Sequence, residues 1–156
     1  MKICLTYDDV QQQIIKDANI IRKEFNPTYI IAIANGGLIP AMYMAKALGV
    51  YNMQIIGVKS YEHQAQGNME LYHDISYELL ENERVLIVDD IYDTGKTFEY
   101  INNLIADNTT TLARNIMTYA VCKKGINGID VDYFGFNTMG IHTAWVEFPW
   151  ENDKIA

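Results

Sequence analysis

The sequence predicts an α/β fold: a mostly parallel central sheet flanked by helices. Two apolar runs, Tyr29-Ile30-Ile31-Ala32-Ile33-Ala34 and Val85-Leu86-Ile87-Val88, show no polar alternation, as expected of strands buried on both faces. Both stop abruptly, one at Asn35-Gly36-Gly37 and the other at Asp89-Asp90 followed by Asp93-Thr94-Gly95. Stretches of helical period separate the strand-like runs, the rhythm of a sheet with crossover helices. Open sheets of this kind bind ligands at the carboxyl ends of their strands.

Asp8-Asp9 can cap a helix carrying Val10, Ile14, Ala18, Ile21 and Phe25, ended by Asn26-Pro27. The strand over 29–34 follows, and a helix over about 39–48 closes at Gly49, a residue suited to a left-handed cap. Residues 53–58 read as a third strand. Residues 59–68 are polar and aperiodic, with a short strand over 69–72 as the return; such a loop in a compact domain usually serves as a lid. The strand over 84–88 leads to a helix over about 94–107, with Phe98, Ile101, Leu104 and Ile105 facing inward. Residues 114–122 read as a strand ending at Lys123-Lys124-Gly125, residues 131–136 as another, and the aromatic segment 141–150 closes the chain. No repeat, linker or low-complexity segment breaks the 156 residues, so one domain is expected over 1–156.

Composition narrows the function. The chain is 49% hydrophobic, and its formal charge of -8 argues against binding nucleic acid through its phosphates. No apolar run reaches membrane-spanning length and the N-terminus turns acidic early, so a cytoplasmic protein without membrane insertion is expected. Cys4 and Cys122 match no metal spacing and read as buried free thiols; His63 and His73 read as loop or surface residues.

The chemistry converges on the stretch from Asp89 to Thr97. Gly95-Lys96-Thr97 superficially suggests a nucleotide P-loop, but Asp90 holds the position where that motif needs a glycine. The turn instead offers main-chain amides of about 93–97 and the hydroxyls of Thr94 and Thr97 at a helix N-terminus, a cradle for a phosphate monoester. A phosphate repels the neighbouring Asp89-Asp90 pair, so those carboxylates need other partners; ribose hydroxyls and Mg²⁺ fit. Gly36 and Gly37 permit close backbone approach at a second helix start, which favours another anion.

The run from Val85 to Thr97 also resembles the signature of type I phosphoribosyltransferases, which bind phosphoribosyl pyrophosphate (PRPP). The resemblance spans nearly the whole chain and is strongest to the bacterial xanthine-guanine (hypoxanthine) branch. It is carried further by Thr6-Tyr7-Asp8, Gly36-Gly37-Leu38-Ile39-Pro40, Ser60-Tyr61 and Trp145-Val146-Glu147-Phe148-Pro149-Trp150. It implies the type I phosphoribosyltransferase fold, with a mobile loop over about 59–74 and a small hood over the base site, formed by the termini and about 131–152.

The roles it implies run as follows. Asp89 and Asp90 hold the ribose hydroxyls and organise Mg²⁺; Asp93 sits near purine N7 as the catalytic group. Thr94, Gly95, Lys96 and Thr97 wrap the 5′-phosphate. Asn35, Gly36, Gly37, Ser60 and Tyr61 serve the pyrophosphate. Lys123 donates to the purine O6, Lys124 being the adjacent candidate, while Trp145 stacks on the base and Val146 meets its edge with main-chain groups. An ammonium has donors only and so favours a 6-oxo group over an amine. The implied partners are PRPP and a purine base, with assembly as a homodimer or homotetramer.

One departure stands out. Relatives carry Arg or Lys where this chain has Asn35, and loss of a charge-assisted contact weakens binding about tenfold to a hundredfold. Lys59 or Lys96 could compensate. A smaller departure is Glu151, where the xanthine-guanine branch has Asp. Two functions are therefore expected to compete: transfer of the phosphoribosyl group to guanine, xanthine or hypoxanthine, and a catalytically weak PRPP- or nucleotide-binding regulator of the same fold. An RNA-binding regulator is disfavoured by the acidic balance.

Overall fold

The computed structural model describes residues 2–60, 68–124, 130–138 and 145–152. In chain order these form β1 (Lys2–Cys4), α1 (Tyr7–Glu24), β2 (Tyr29–Ala34), α2 (Leu38–Leu48), β3 (Met53–Ser60), β4 (Met69–His73), β5 (Val85–Tyr92), α3 (Lys96–Asn108), β6 (Ile116–Lys123), β7 (Tyr133–Asn137) and β8 (Trp145–Glu147). Short 3₁₀ turns occupy Tyr77–Leu80, Ala113–Asn115 and Pro149–Asn152.

Six strands form the main sheet in the order β4-β3-β2-β5-β6-β7. Every neighbouring pair is parallel except β3 and β4, which return as an antiparallel hairpin. The mostly parallel architecture expected from the sequence is therefore the observed one. β5 lies centrally, and Val85 to Val88 are wholly buried. Leu86 and Val88 pack with Val10, Ile14, Ala18 and Ile21 of α1 and Ala41 and Met44 of α2. Val85 and Ile87 face the other way, onto Phe98, Ile101 and Ile105 of α3. Two covered faces explain why these strands lack polar alternation.

Beside β7 the packing of α1 is tight. A side chain at Gly135 would meet Gln13 Cγ at 2.8 Å, the Val121 carbonyl at 2.8 Å and Asp17 Oδ2 at 2.9 Å. Asp17 is buried there, accepting from Tyr119 Oη at 2.7 Å and Gln13 Nε2 at 3.0 Å. Burial raises its pKa, against those two hydrogen bonds.

Several boundaries differ from the sequence reading, each for a local reason. Thr6 caps α1, not Asp8-Asp9: its hydroxyl accepts from Asp9 N at 3.0 Å, and Asp9 Oδ2 accepts from Thr6 N at 2.9 Å, a closed capping box. Lys59 and Ser60 belong to β3, because pairing with β4 extends the strand beyond its apolar part. β5 runs through Asp89 and Asp90 to Tyr92, since β6 continues the ladder alongside it. α3 starts at Lys96 and not at Thr94, because Gly95 takes a left-handed backbone with φ of 79°. β7 is an edge strand of the main sheet, so of the expected hood segment 131–152 only the part from β8 onward stands apart. There β8 pairs with β1, a strand the sequence reading did not anticipate. Cys4, expected to be buried, is exposed on that small ladder, whereas Cys122 is buried in β6.

Candidate active site

The carboxyl ends of β2 and β5 meet directly. A Cβ at Gly36 would collide with the Asp90 carboxylate, and one at Gly37 would lie 2.5 Å from the Val88 carbonyl, 2.7 Å from that of Ile33 and 3.1 Å from Asp89 Cα. Two residues without side chains thus let the β2 turn rest on β5. The Ala34-Asn35 peptide bond beside them is cis. Asn35 is exposed, and α2 begins three residues on, at Leu38, with no side-chain cap at Gly37.

On the β5 side, Asp89 and Asp90 are half-buried neighbours, and Asp90 N donates to Asp89 Oδ1 at 2.8 Å. Burial raises both pKa values; for Asp89 the negative charge of Asp90 adds to the rise. Lys or Arg makes no ion pair with either among the described residues, which hold only the pairs Lys2–Glu147 and Lys123–Asp130. Two adjacent carboxylates lacking a cationic side chain suit a hard divalent cation, which favours oxygen ligands. No cluster of three or more metal-ligating side chains occurs among the described residues.

Asp93 and Thr94 are exposed, Gly95 is buried and Thr97 half-buried. Gly95 supplies no capping side chain to α3. One long contact reaches back, from Lys96 N to Thr94 Oγ1 at 3.4 Å. The start of α3 thus has no side-chain cap beyond this long contact, the kind of helix N-terminus that suits a phosphate.

The hairpin β3–β4 frames the β2 turn from the far side. The Tyr72 ring covers Gly57 so closely that a Cβ there would overlap it, and Tyr72 Oη donates to the Ala34 carbonyl at 3.3 Å. Lys59 Nζ lies 5.4 Å above the Tyr72 ring. Lys59 and Ser60 are both exposed at the end of β3. Tyr61 and His63 lie outside the described residues. Sequence reading missed Tyr72; an aromatic residue just after a long polar loop was its only signal.

On the opposite flank, Lys123 pairs in register with Tyr92 at the end of β6. Its Nζ donates to Asp130 Oδ1 at 2.5 Å and lies 5.7 Å from the Tyr92 ring and 5.2 Å from that of Phe134. Lys124 N donates to the Tyr92 carbonyl at 2.8 Å, and Lys124 Nζ sits 5.8 Å over the Trp145 ring. Trp145 is 63% exposed, far from the burial of an ordinary core indole, whereas Val146 is buried. A cavity of about 150 Å³ lies beneath this hood, between Ile3, Leu5, Cys122, Phe136, Thr138 and Val146. Trp150 stacks on Phe148, with centroids 4.8 Å apart and planes 7° from parallel. Its buried indole N–H lacks a hydrogen bond of normal length and bears on Asp90 only as a weak contact opposing the upward push of burial. The link of Trp150 to Asp90 had no signal in the sequence pattern.

The fold and the two glycine-bearing strand exits define an α/β domain with its candidate site at the carboxyl edge of a mostly parallel sheet. Residues 6–152 match the phosphoribosyl transferase domain family, and the chain belongs to that family. It is similar to xanthine-guanine phosphoribosyltransferase of Chromohalobacter salexigens, 32% identical over 122 residues, covering 78% of this chain and 67% of that one. Among solved structures it is similar to a purine phosphoribosyltransferase from Pyrococcus horikoshii, at 31% identity and a TM-score of 0.83, covering 99% and 97% of the two chains. A xanthine-guanine-hypoxanthine phosphoribosyltransferase from Helicobacter pylori shares the fold, with a TM-score of 0.83 at 15% identity over 98% and 96% of the chains.

Proposed function

We propose that this phosphoribosyltransferase moves the 5-phosphoribosyl group of PRPP onto a 6-oxopurine, giving the nucleoside monophosphate and pyrophosphate, in purine salvage. The observation that carries the reading is the packing of Gly36 against Asp90. It supports the reading by bringing the β2 turn, the proposed pyrophosphate wall, against one of the two carboxylates assigned to the ribose.

In the reaction the bond from the ribose carbon to pyrophosphate breaks, its electron pair leaving with pyrophosphate. The carbon gains positive character, and a purine ring nitrogen attacks it. Thr94, Gly95, Lys96 and Thr97 hold the 5′-phosphate and so fix the carbon in place. Gly36 offers its main-chain N–H to the departing pyrophosphate, where negative charge grows, while Gly37, whose N–H is held by the Ile33 carbonyl at 2.8 Å, allows the turn its close approach to β5. Asp93, exposed in the turn, accepts the proton the purine gives up near N7. Asp89 and Asp90 accept from the ribose hydroxyls and would hold Mg²⁺, which when bound neutralises charge on the leaving group. Ser60, exposed at the end of β3, serves the pyrophosphate side together with Tyr61, where water is the competing nucleophile to be kept out. Lys123 meets O6, Trp145 stacks on the ring and Val146 meets its edge.

Lys59 takes over the positive charge that Asn35 lacks. Its ammonium sits on Tyr72, and Tyr72 is hydrogen-bonded to the Ala34 carbonyl at the start of the pyrophosphate turn. Assembly as a homodimer or homotetramer is part of the same proposal, supported by the exposed Leu38 and Met42 on α2. No described helix is long and apolar enough to cross a membrane.

The test is incubation with PRPP, Mg²⁺ and each of guanine, xanthine and hypoxanthine, reading nucleotide and pyrophosphate. Formation of both with at least one base is expected; no product with any base sinks the proposal. PRPP binding without product would instead favour the regulator, a reading that Asn35 keeps open. Asp93→Asn should lower kcat at least about a hundredfold while PRPP binding survives. An unchanged kcat removes Asp93 from the mechanism.

A further inference from the structure

The lysine placed at the purine O6 does not stand alone. Its side chain is only 8% exposed, enclosed by the Tyr92 and Phe134 rings. A buried ammonium needs a countercharge, and Asp130 is the one carboxylate in ion-pair distance among the described residues. Asp130 itself is 68% exposed, so this pair lies at the boundary between the base site and solvent. One of the three ammonium donors is occupied by Asp130, leaving two for a ligand.

We propose that Asp130 sets base specificity: by compensating the charge of Lys123 it removes most of the preference that an isolated ammonium would give anionic 6-oxopurines over neutral ones. The inference rests on the reading that Lys123 meets O6. A neutral carbonyl accepts a hydrogen bond from the ammonium whether or not a carboxylate stands behind it. An anionic base is different, because its attraction to the ammonium is opposed by repulsion from Asp130 at a slightly greater distance. Xanthine, with its second carbonyl, loses a ring proton near neutral pH, whereas hypoxanthine and guanine remain neutral there. The Lys123–Asp130 pair therefore withholds from ionised xanthine most of the advantage over hypoxanthine that an unpaired lysine would confer, an effect that grows as pH rises.

The neighbouring ionisable groups do not supply the same discrimination. The Tyr92 hydroxyl, which faces the pair from β5, is kept protonated by burial and by the Asp130 charge. Asp132, on the β7 side, is committed to Thr118, accepting from its N at 2.8 Å and its Oγ1 at 3.1 Å. The Lys124 ammonium lies over Trp145.

The experiment measures kcat/KM for xanthine and hypoxanthine from mildly acidic to mildly alkaline pH, in the unaltered protein and in Asp130→Asn. The xanthine-to-hypoxanthine ratio should rise about fivefold or more in Asp130→Asn above the ionisation of xanthine, with little change below it. Asp130→Glu, which keeps the charge, should restore the original ratio and its pH dependence. An active Asp130→Asn enzyme with an unchanged ratio at every pH overturns this inference alone. Lys123→Met separates it from the reading beneath it: if that variant handles the bases as before, Lys123 does not meet O6 and both statements fall. Absence of product in every protein with every base likewise defeats both.

Discussion

The three long helices begin in two different ways. α1 closes its own N-terminus, with the Thr6 hydroxyl and the Asp9 carboxylate each accepting from the other residue's backbone N–H. α2 and α3 start at Gly37 and Gly95, with no capping side chain. Exposed helix-start donors cost stability unless something satisfies them. The two open starts both lie at the carboxyl edge of the sheet, whereas α1 packs behind it. α1 satisfies its first amides with its own side chains; α2 leaves Gly37 N and Leu38 N to the Ile33 and Asn35 carbonyls at 2.8 and 3.1 Å. The start of α3 has only the long contact from Lys96 N to Thr94 Oγ1 at 3.4 Å, the freer of the two for a phosphate under the proposed function.

The sharpest way to break this contrast is at the glycines. A Cβ at Gly36 would run into the Asp90 carboxylate, so Gly36→Ala must displace either the α2 turn or the acidic pair. A displacement of about 1 Å at a reacting centre costs on the order of a hundredfold in rate, and kcat/KM for PRPP should fall by about that factor. A near-normal value would mean that the β2 turn is not part of the substrate site. Lys59→Met is a milder probe, because it leaves the backbone alone. KM for PRPP and for pyrophosphate in the reverse reaction should rise about tenfold, with a smaller change in kcat. An unchanged KM in both directions would leave Asn35 uncompensated by Lys59.

The same contrast shows what could be read from sequence. β2 and β5 were legible because burial on both faces suppresses alternation, and their glycine- and aspartate-rich exits marked the open helix starts. Asp89, Asp90 and the turn from Asp93 to Thr97 followed from one contiguous stretch. What escaped depended on contacts between distant segments. β1 becomes a strand only because β8 lies beside it, and a three-residue ladder leaves no periodic trace. The pairing of Lys123 with Asp130 crosses a connection whose length says nothing about where the carboxylate falls. Tyr72 meets the Ala34 carbonyl only because β4 folds back on β3. Asp8-Asp9 were plausible caps on residue type alone; the capping box at Thr6 shows that the spacing from Thr6 to Asp9 was the better guide.

The smallest expected effect tests the closed helix. Thr6→Ala removes the acceptor for Asp9 N and should lower stability by about 1 kcal/mol. For a chain of this length that is a fall in Tm of about 2–4 °C. Hydrogen bonds from the Thr6 backbone N–H and then the Thr6 hydroxyl hold the Asp9 carboxyl below its ordinary range. A depressed carboxyl contributes its stability above the unfolded value of about 3.9 and loses it as pH falls through the folded one. The gap in Tm between the unaltered protein and Thr6→Ala should therefore narrow on acidification. If the start of α1 serves the fold alone, kcat and KM near neutral pH should not move. A Thr6→Ala protein that melts normally but binds PRPP poorly would overturn the division between closed and open helix starts.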